Sequence, residues 1–167
     1  PLLPLAAGIA AHEAAAEAGV SCLLKWPNDL LLSGRKLAGI LCEAAALSRD
    51  HATVIVGIGV NFPDVSFPPE IADIAVSLNA ALGKEAEISA FAACFVASLE
   101  AWNLKISQRD RAPLIEEWRK RAEPFGRRVK VGDITGATVD LAADGRLIVR
   151  DDEGEERLIA GGIVESV

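Results

Sequence analysis

At Pro124-Phe125-Gly126 the apolar rhythm of the chain changes, and that change limits what the chain can fold into. Before it, apolar residues recur at helical spacing: Phe91, Phe95, Val96, Leu99, Trp102 and Ile106, then Leu114, Ile115 and Trp118. After it they alternate: Val129 and Val131, Ile134, Ala137 with Val139 and Leu141, Leu147 and Val149, Leu158, Ile163 and Val164. A period of two belongs to strands, because successive side chains point to opposite faces. Asp144-Gly145 and Glu153-Gly154 are hairpin turn signals. Roughly five short strands in about 40 residues predict a small barrel. The reading divides the chain into a larger domain, 1–123, and a small β domain, 124–167.

The larger part mixes both periods. Pro4–Ala18 reads as a helix, alanine-rich and closed by Gly19, with His12, Glu13 and Glu17 on a weak polar face. Strands are predicted at Val20–Trp26, ended by Pro27, and at Leu30–Leu32, Leu37–Ala45 and Thr53–Val60. Ser33-Gly34-Arg35 and Ser48–His51 are turns, and Phe62–Pro69 is a proline-rich loop. Ile74–Leu82 reads as a short helix stopped by Gly83, Ser89 as the N-cap of a long helix to about Ile106, and Arg111–Arg121 as a further helix. The class is α+β. A length of 167 residues with 51% hydrophobic content is enough for a real core.

Composition excludes several functions. The net charge of −7 and pI of about 4.9 repel polyanions, so nucleic acid is not expected as the main partner of this chain. The short basic run Arg119, Lys120, Arg121, with Arg127, Arg128 and Lys130 beyond it, reads as a solvated helix end and strand edge. Cys22, Cys42 and Cys94 have no metal or redox spacing and lie among apolar residues, which predicts buried thiols and a reducing, cytoplasmic setting. No apolar run is long enough to span a membrane; Leu2–Ala11 is interrupted by His12 and Glu13. His12, His51 and Ser33 form no recognisable triad or zinc pattern.

The chemistry concentrates in residues 25–61. Lys25-Trp26-Pro27-Asn28-Asp29 is followed by Gly34-Arg35-Lys36-Leu37-Ala38-Gly39-Ile40-Leu41 and by Gly57-Ile58-Gly59-Val60-Asn61. In a regular strand Gly57, Gly59 and Asn61 share one face, so two missing side chains precede an amide. Such a bare face admits either a flat ligand or a helix packed closely over it. Asn28 and Asp29 follow a proline, where side chains bond local backbone. Lys25 ends a strand and is expected to face a cleft or to pair with Asp29; Trp26 is either a pocket wall or a core residue. Lys36 and Gly39 differ in strand parity, so both can reach one ligand only if a bulge or twist intervenes. Leu41 shares the face of Gly39.

Taken together, KWPND, GRKLAGIL and GIGVN resemble the signature of biotin protein ligases, in the order that family carries them, and the resemblance runs through nearly the whole chain. It implies a class II aminoacyl-tRNA-synthetase-like mixed sheet with packed helices, followed by an SH3-like C-terminal domain. It also implies ATP-dependent formation of biotinyl-5′-AMP and transfer of biotin to a lysine of a carboxyl carrier protein, with magnesium on the phosphates. In that pattern Lys36 is the cation beside the carboxyl and the α-phosphate, Asp29 orients it or accepts the acceptor lysine's proton, and Lys25 assists. Trp26, Asn28, Gly39, Ile40, Leu41, Gly57, Gly59 and Asn61 fall on biotin- and adenylate-binding positions, Asn61 as a hydrogen-bonding partner of the nucleotide.

The family's Gly-Arg phosphate loop is not found in these residues; it is expected ahead of Pro1, so the chain alone is expected to adenylate biotin weakly. The competing readings are a lipoate-type ligase, which shares the catalytic fold, a non-catalytic module that binds a carrier or dimerises, and an inactive domain with a vestigial pocket. Some family members dimerise by extending a sheet, and a homodimer of that kind is among the expected partners.

Overall fold

The computed structural model describes residues 2–48, 52–63, 67–107 and 111–167. His51 and the last three residues of the expected 48–51 turn lie outside them, as do residues 64–66 of the proline-rich loop.

The first helix, α1 (Leu2–Glu17), is apolar around nearly its whole circumference and is buried accordingly, with Leu5, Ile9 and most of its alanines inaccessible. It packs on a four-stranded sheet of β1 (Leu23–Lys25), β2 (Asp29–Leu32), β3 (Arg35–Leu47) and β4 (Ala52–Val60), in that spatial order. Gly8 explains how closely it sits: a Cβ there would stand 3.4 Å from Leu24 Cδ2 and 3.7 Å from Trp118 Nε1. The short α2 (Leu78–Leu82) follows, then α3 (Ile88–Ser107) and α4 (Ala112–Arg121), both packed against α1. Phe91, Phe95, Trp102, Leu114, Ile115 and Trp118 supply the apolar stripes that close this core.

Three expectations need correction. The named strands of this sheet all pair antiparallel rather than forming a mixed sheet. The connections after β1 and β2 are turns of a few residues, and so tight a link can only return the chain antiparallel. Among the described residues parallel pairing enters only as isolated bridges, Leu24 with Ala122 and Lys36 with Ala75, made by segments that return after long excursions. The helix expected over 74–82 begins only at Leu78, where the Ser77 hydroxyl accepts the Ala80 N–H; Ile74 ends a turn, its N–H donating to the Ile71 carbonyl, and the Ile74 carbonyl and Val76 N–H bond the backbone of Lys36. Ser89 is not an N-cap, because α3 already includes Ile88.

The second sheet comprises β5 (Arg128–Val131), β6 (Ile134–Leu141), β7 (Leu147–Asp151), β8 (Glu156–Ile159) and β9 (Glu165–Ser166), antiparallel in the order β8-β7-β6-β5-β9. Gly145 and Gly154 take positive φ values of 85° and 87° at its two predicted hairpins. Ile163 is 80% exposed and outside any strand, contrary to its period-two placement.

Hydrogen bonds tie the region of β1 to the linker after α4 and to a hairpin of the second sheet. The Glu123 N–H donates to the Leu24 carbonyl at 2.9 Å, and the Trp26 Nε1–H donates to the Gly145 carbonyl at 3.0 Å, across 119 residues of sequence and away from solvent. Away from both sheets, Glu13 of α1 accepts from Ser98 of α3 and pairs with Arg121 of α4 at 3.4 Å. Beside it His12 Nδ1 is buried with no hydrogen-bond partner among the described residues, and burial, then the Arg121 charge, hold the His12 pKa below 6.5.

Candidate active site

The antiparallel register assembles the predicted residues into one line. Lys25 stands opposite Asp29, Asp29 opposite Gly39, and Gly39 opposite Gly59. Directly opposed residues share a face, so these four form a cross-strand row about 14 Å long, three strand spacings. Leu41 and Gly57 make the next row on the same face. On the opposite face Ala38 and Ile40 are buried, and Val56, Ile58 and Val60 pack against the core.

Lys36 joins this face through a β-bulge. The β2–β3 register passes from Leu30 opposite Ala38 to Leu31 opposite Lys36, which skips Leu37. Leu37 and Ala38 are therefore both buried, at 0% and 2% exposure, and Lys36 emerges on the side of Gly39. The bulge removes the parity conflict. Lys36 Nζ lies 2.5 Å from Asp29 Oδ1, with half of the lysine side chain exposed. A Cβ on Gly39 would meet Lys36 Cε and Nζ at 3.1 Å and Asp29 Oδ1 at 3.6 Å, so the bare backbone of Gly39 is what leaves room for the pair. The carboxylate partner of Lys36 is thus Asp29, and Asp29 does not pair with Lys25.

Among the described residues, nothing packs directly on the glycines of β4. No atom comes within 4 Å of a Cβ built on Gly59, and only the Leu41 carbonyl, at 3.8 Å, comes near one on Gly57. Close helix packing on this face is therefore excluded among the described residues. Instead Lys36, Gly39, Gly59 and Asn61 border a groove of about 230 Å³, whose far wall is Phe67, Ile71, Ile74 and Ala75. That wall was missed in sequence. Its only signal was an aromatic and two isoleucines in and just after a proline-rich stretch. The wall is held because the Lys36 N–H donates to the Ile74 carbonyl at 2.7 Å and the Val76 N–H to the Lys36 carbonyl at 3.0 Å. A larger hollow of about 610 Å³ lies across the same segment, lined by Ser21, Ser33 and Arg35 among others. It contains none of the residues singled out above except through shared wall positions, so the chemistry belongs to the smaller groove.

Four predicted binding residues are placed elsewhere or otherwise engaged. Ile40 is 3% exposed and faces α1. Trp26 is 6% exposed and faces the second sheet, where its N–H is taken by Gly145; it does not wall the groove. The Asn28 side chain donates to the Ile40 carbonyl at 2.6 Å, which ties the turn to β3. The Asn61 Nδ2 donates to the Lys36 and Val76 carbonyls at 3.2 and 3.3 Å, while Asn61 also borders the groove. Lys25 keeps its place in the row but also borders a small cavity between the sheets, with Trp26, Pro124 and Phe125.

The three sequence motifs thus meet at one site, an α+β domain's glycine-floored sheet face with a lysine–aspartate pair at its rim, followed by a small β domain. Residues 3–61 match the Biotin/lipoate A/B protein ligase family and residues 125–165 match the Biotin protein ligase C terminal domain. The chain thus carries matches to two biotin protein ligase family domains. It is 34% identical over 177 residues to a biotin–(acetyl-CoA-carboxylase) ligase of Mycobacterium tuberculosis, covering 97% of this chain and 61% of that protein. It is 30% identical over 155 residues to the bifunctional ligase/repressor BirA of Escherichia coli, covering 90% of this chain and 48% of that protein. Among solved structures, the biotin protein ligase from Aquifex aeolicus in complex with biotin and ATP superposes with a TM-score of 0.85 at 28% identity, over 99% of this chain and 72% of that one. The chain spans about half the length of the first curated relatives it matches, at 52% of each.

Proposed function

We propose that the protein activates biotin with ATP and transfers it to a lysine of a biotin carboxyl carrier domain. One observation carries this reading: an ammonium, paired to a carboxylate, stands at the edge of a glycine floor on which no described residue packs directly. The Aquifex relative, whose structure is described as a complex with biotin and ATP, supports the choice of ligands. The names of the curated ligases support the choice of reaction.

In the first step a biotin carboxylate oxygen attacks the α-phosphorus, the bond to the bridging oxygen breaks, and pyrophosphate leaves. Two anions must approach, and the Lys36 ammonium offsets that repulsion at the point where negative charge builds. Asp29 holds the flexible lysine in place. In the second step the carrier's lysine amine attacks the acyl carbon and AMP leaves; Asp29 is the group placed to take the proton from that amine. The glycines let the flat adenylate lie on backbone, and Leu41, 58% exposed on the same face, offers apolar surface to the biotin rings. Among the described residues no three His, Cys, Asp or Glu side chains gather into a cation site. Magnesium enters this reading as a companion of the nucleotide phosphates.

The reading extends to three coarser points. Residues 1–123 and 124–167 are taken as catalytic and SH3-like C-terminal domains, supported by the break between α4 and β5. The free thiols Cys22, Cys42 and Cys94 suit a cytosolic setting, and among the described residues no helix is long and apolar enough to cross a membrane. The exposed edge of β4 suits pairing with a second copy. The test is mass spectrometry of the full-length protein incubated with ATP, magnesium and either biotin or lipoate, followed by a purified carrier domain. Biotinyl-AMP and a biotinylated carrier lysine are expected. Lipoyl transfer alone would assign the site to the lipoate class, and carrier capture without either adduct would make the protein a binding module.

A further inference from the structure

Asp29 holds the Lys36 ammonium, so the proposed chemistry also depends on what holds Asp29. Asp29 is the first residue of β2, where the strand begins. Toward the bulge it has one regular neighbouring pair, Leu30 with Ala38, before the register shifts. On its other side the chain turns back to β1 through Trp26, Pro27 and Asn28, and Pro27 has no N–H to give.

Opposed residues of an antiparallel ladder alternate between pairs that exchange two backbone bonds and pairs that exchange none. Continuing the register places Asn28 opposite Ile40, one step beyond Asp29 and Gly39. The Ile40 N–H donates to the Asn28 carbonyl at 2.9 Å, which is one half of a bonded pair. The other half comes from a side chain: Asn28 Nδ2 donates to the Ile40 carbonyl at 2.6 Å. Asp29 and Gly39 therefore face each other as a non-bonded pair between two bonded ones, the kind that brings side chains closest. Ile40 is a firm anchor, buried on the core side and paired with Ile58 of β4.

We propose that Asn28 is a positioning residue for Asp29: its side-chain amide completes the β2–β3 ladder where the chain turns away, and so sets the carboxylate that holds Lys36. The chemistry of the side chain fits this task. An amide nitrogen donates to the Ile40 carbonyl, whereas an ionised aspartate of the same shape only accepts and alanine does neither. The proposal rests on the reading of Lys36 and Asp29 given above and adds a residue that acts through them.

Amide exchange and a double-mutant cycle in the full-length protein test it. Without any ligand, Asn28→Ala should speed exchange of the Ile40 amide by about tenfold or more and leave that of Val149 in the second sheet within about twofold, which separates a local loss from general destabilisation. In biotin-dependent ATP–pyrophosphate exchange it should lower kcat by about tenfold, less than the roughly hundredfold cost of a full ångström of misplacement, with the KM for ATP held within about twofold. In an Asp29→Ala background the same change should add almost nothing. Asn28→Asp should reproduce these effects and serves as the variant if the alanine form loses its fold. An unchanged Ile40 rate, a raised KM with normal kcat, or the same kcat loss with and without Asp29 would each overturn the proposal. If Asp29→Ala itself leaves turnover intact, the reading of the Lys36–Asp29 pair fails instead, and the Ile40 rate alone decides whether Asn28 sets Asp29.

Discussion

Replacing Gly39 with alanine should displace the Lys36 ammonium without unfolding the protein. The added Cβ would stand 3.1 Å from Lys36 Cε and Nζ. Ordinary contacts of this kind are about 3.5–4.0 Å, so the end of the lysine must move by about half an ångström. The clashing atoms are the far end of a flexible side chain, so stability should change by no more than about 1 kcal/mol, helped by the reduced freedom of the unfolded chain. The electrostatic effect is larger relative to its size. At an effective dielectric of about 20, lengthening a charge contact from about 3 to 3.5 Å weakens it by about 0.8 kcal/mol, or about fourfold in rate. Misplacement of a reacting group by a full ångström costs about a hundredfold. The kcat for pyrophosphate release should therefore fall between these bounds. Gly59→Ala is the control: its Cβ meets nothing within 4 Å, so Lys36 stays in place while a methyl group occupies the groove. That variant should raise KM and spare kcat. A normal kcat in Gly39→Ala, or the same kcat loss in both variants, would refute the argument.

Two further predictions concern the scaffold. His12 has a folded pKa below its unfolded value of 6.5, because burial and then Arg121 disfavour the imidazolium. The unfolded state thus binds the proton more readily, so the stability owed to neutral His12 is present above that value and is lost as pH falls through the folded pKa. Thermal melts of His12→Gln between about pH 7 and pH 5 should show a flatter acid limb than the parent protein; parallel curves would remove His12 from the pH dependence. Trp26→Phe keeps an aromatic ring between the sheets but leaves the buried Gly145 carbonyl unpaired. It should cost about 1–3 kcal/mol in denaturant unfolding, and an unchanged midpoint would mean that solvent replaces the bond.

Much of the site was legible in the sequence because it follows from strand parity. Gly57, Gly59 and Asn61 fall on one face by counting, and the mismatch between Lys36 and Gly39 demanded the bulge that the register contains. Helices α1 and α3 were legible from sustained apolar patterning. What stayed hidden depends on partners distant in sequence. Residues 74–76 have helix-compatible composition, yet the backbone of Lys36 offers them hydrogen bonds that a helix would forgo. Trp26 belongs to a local sequence motif, but its partner is a carbonyl 119 residues away, which no period reports. Likewise the side chains of Asn28 and Asn61 are committed to carbonyls of neighbouring segments, Ile40 in one case and Lys36 with Val76 in the other. Motif spacing identified where the chemistry gathers; it could not separate residues that touch a ligand from those that hold the frame.

The account turns on Lys36. Its most direct test is biotin-dependent exchange of labelled pyrophosphate into ATP, measured on the full-length protein and on its Lys36→Ala variant with circular dichroism to verify the fold. Loss of one preorganised charge at the phosphate predicts a fall of at least about a hundredfold in kcat with the fold retained. Exchange by the folded variant within a few-fold of the parent rate would contradict the account.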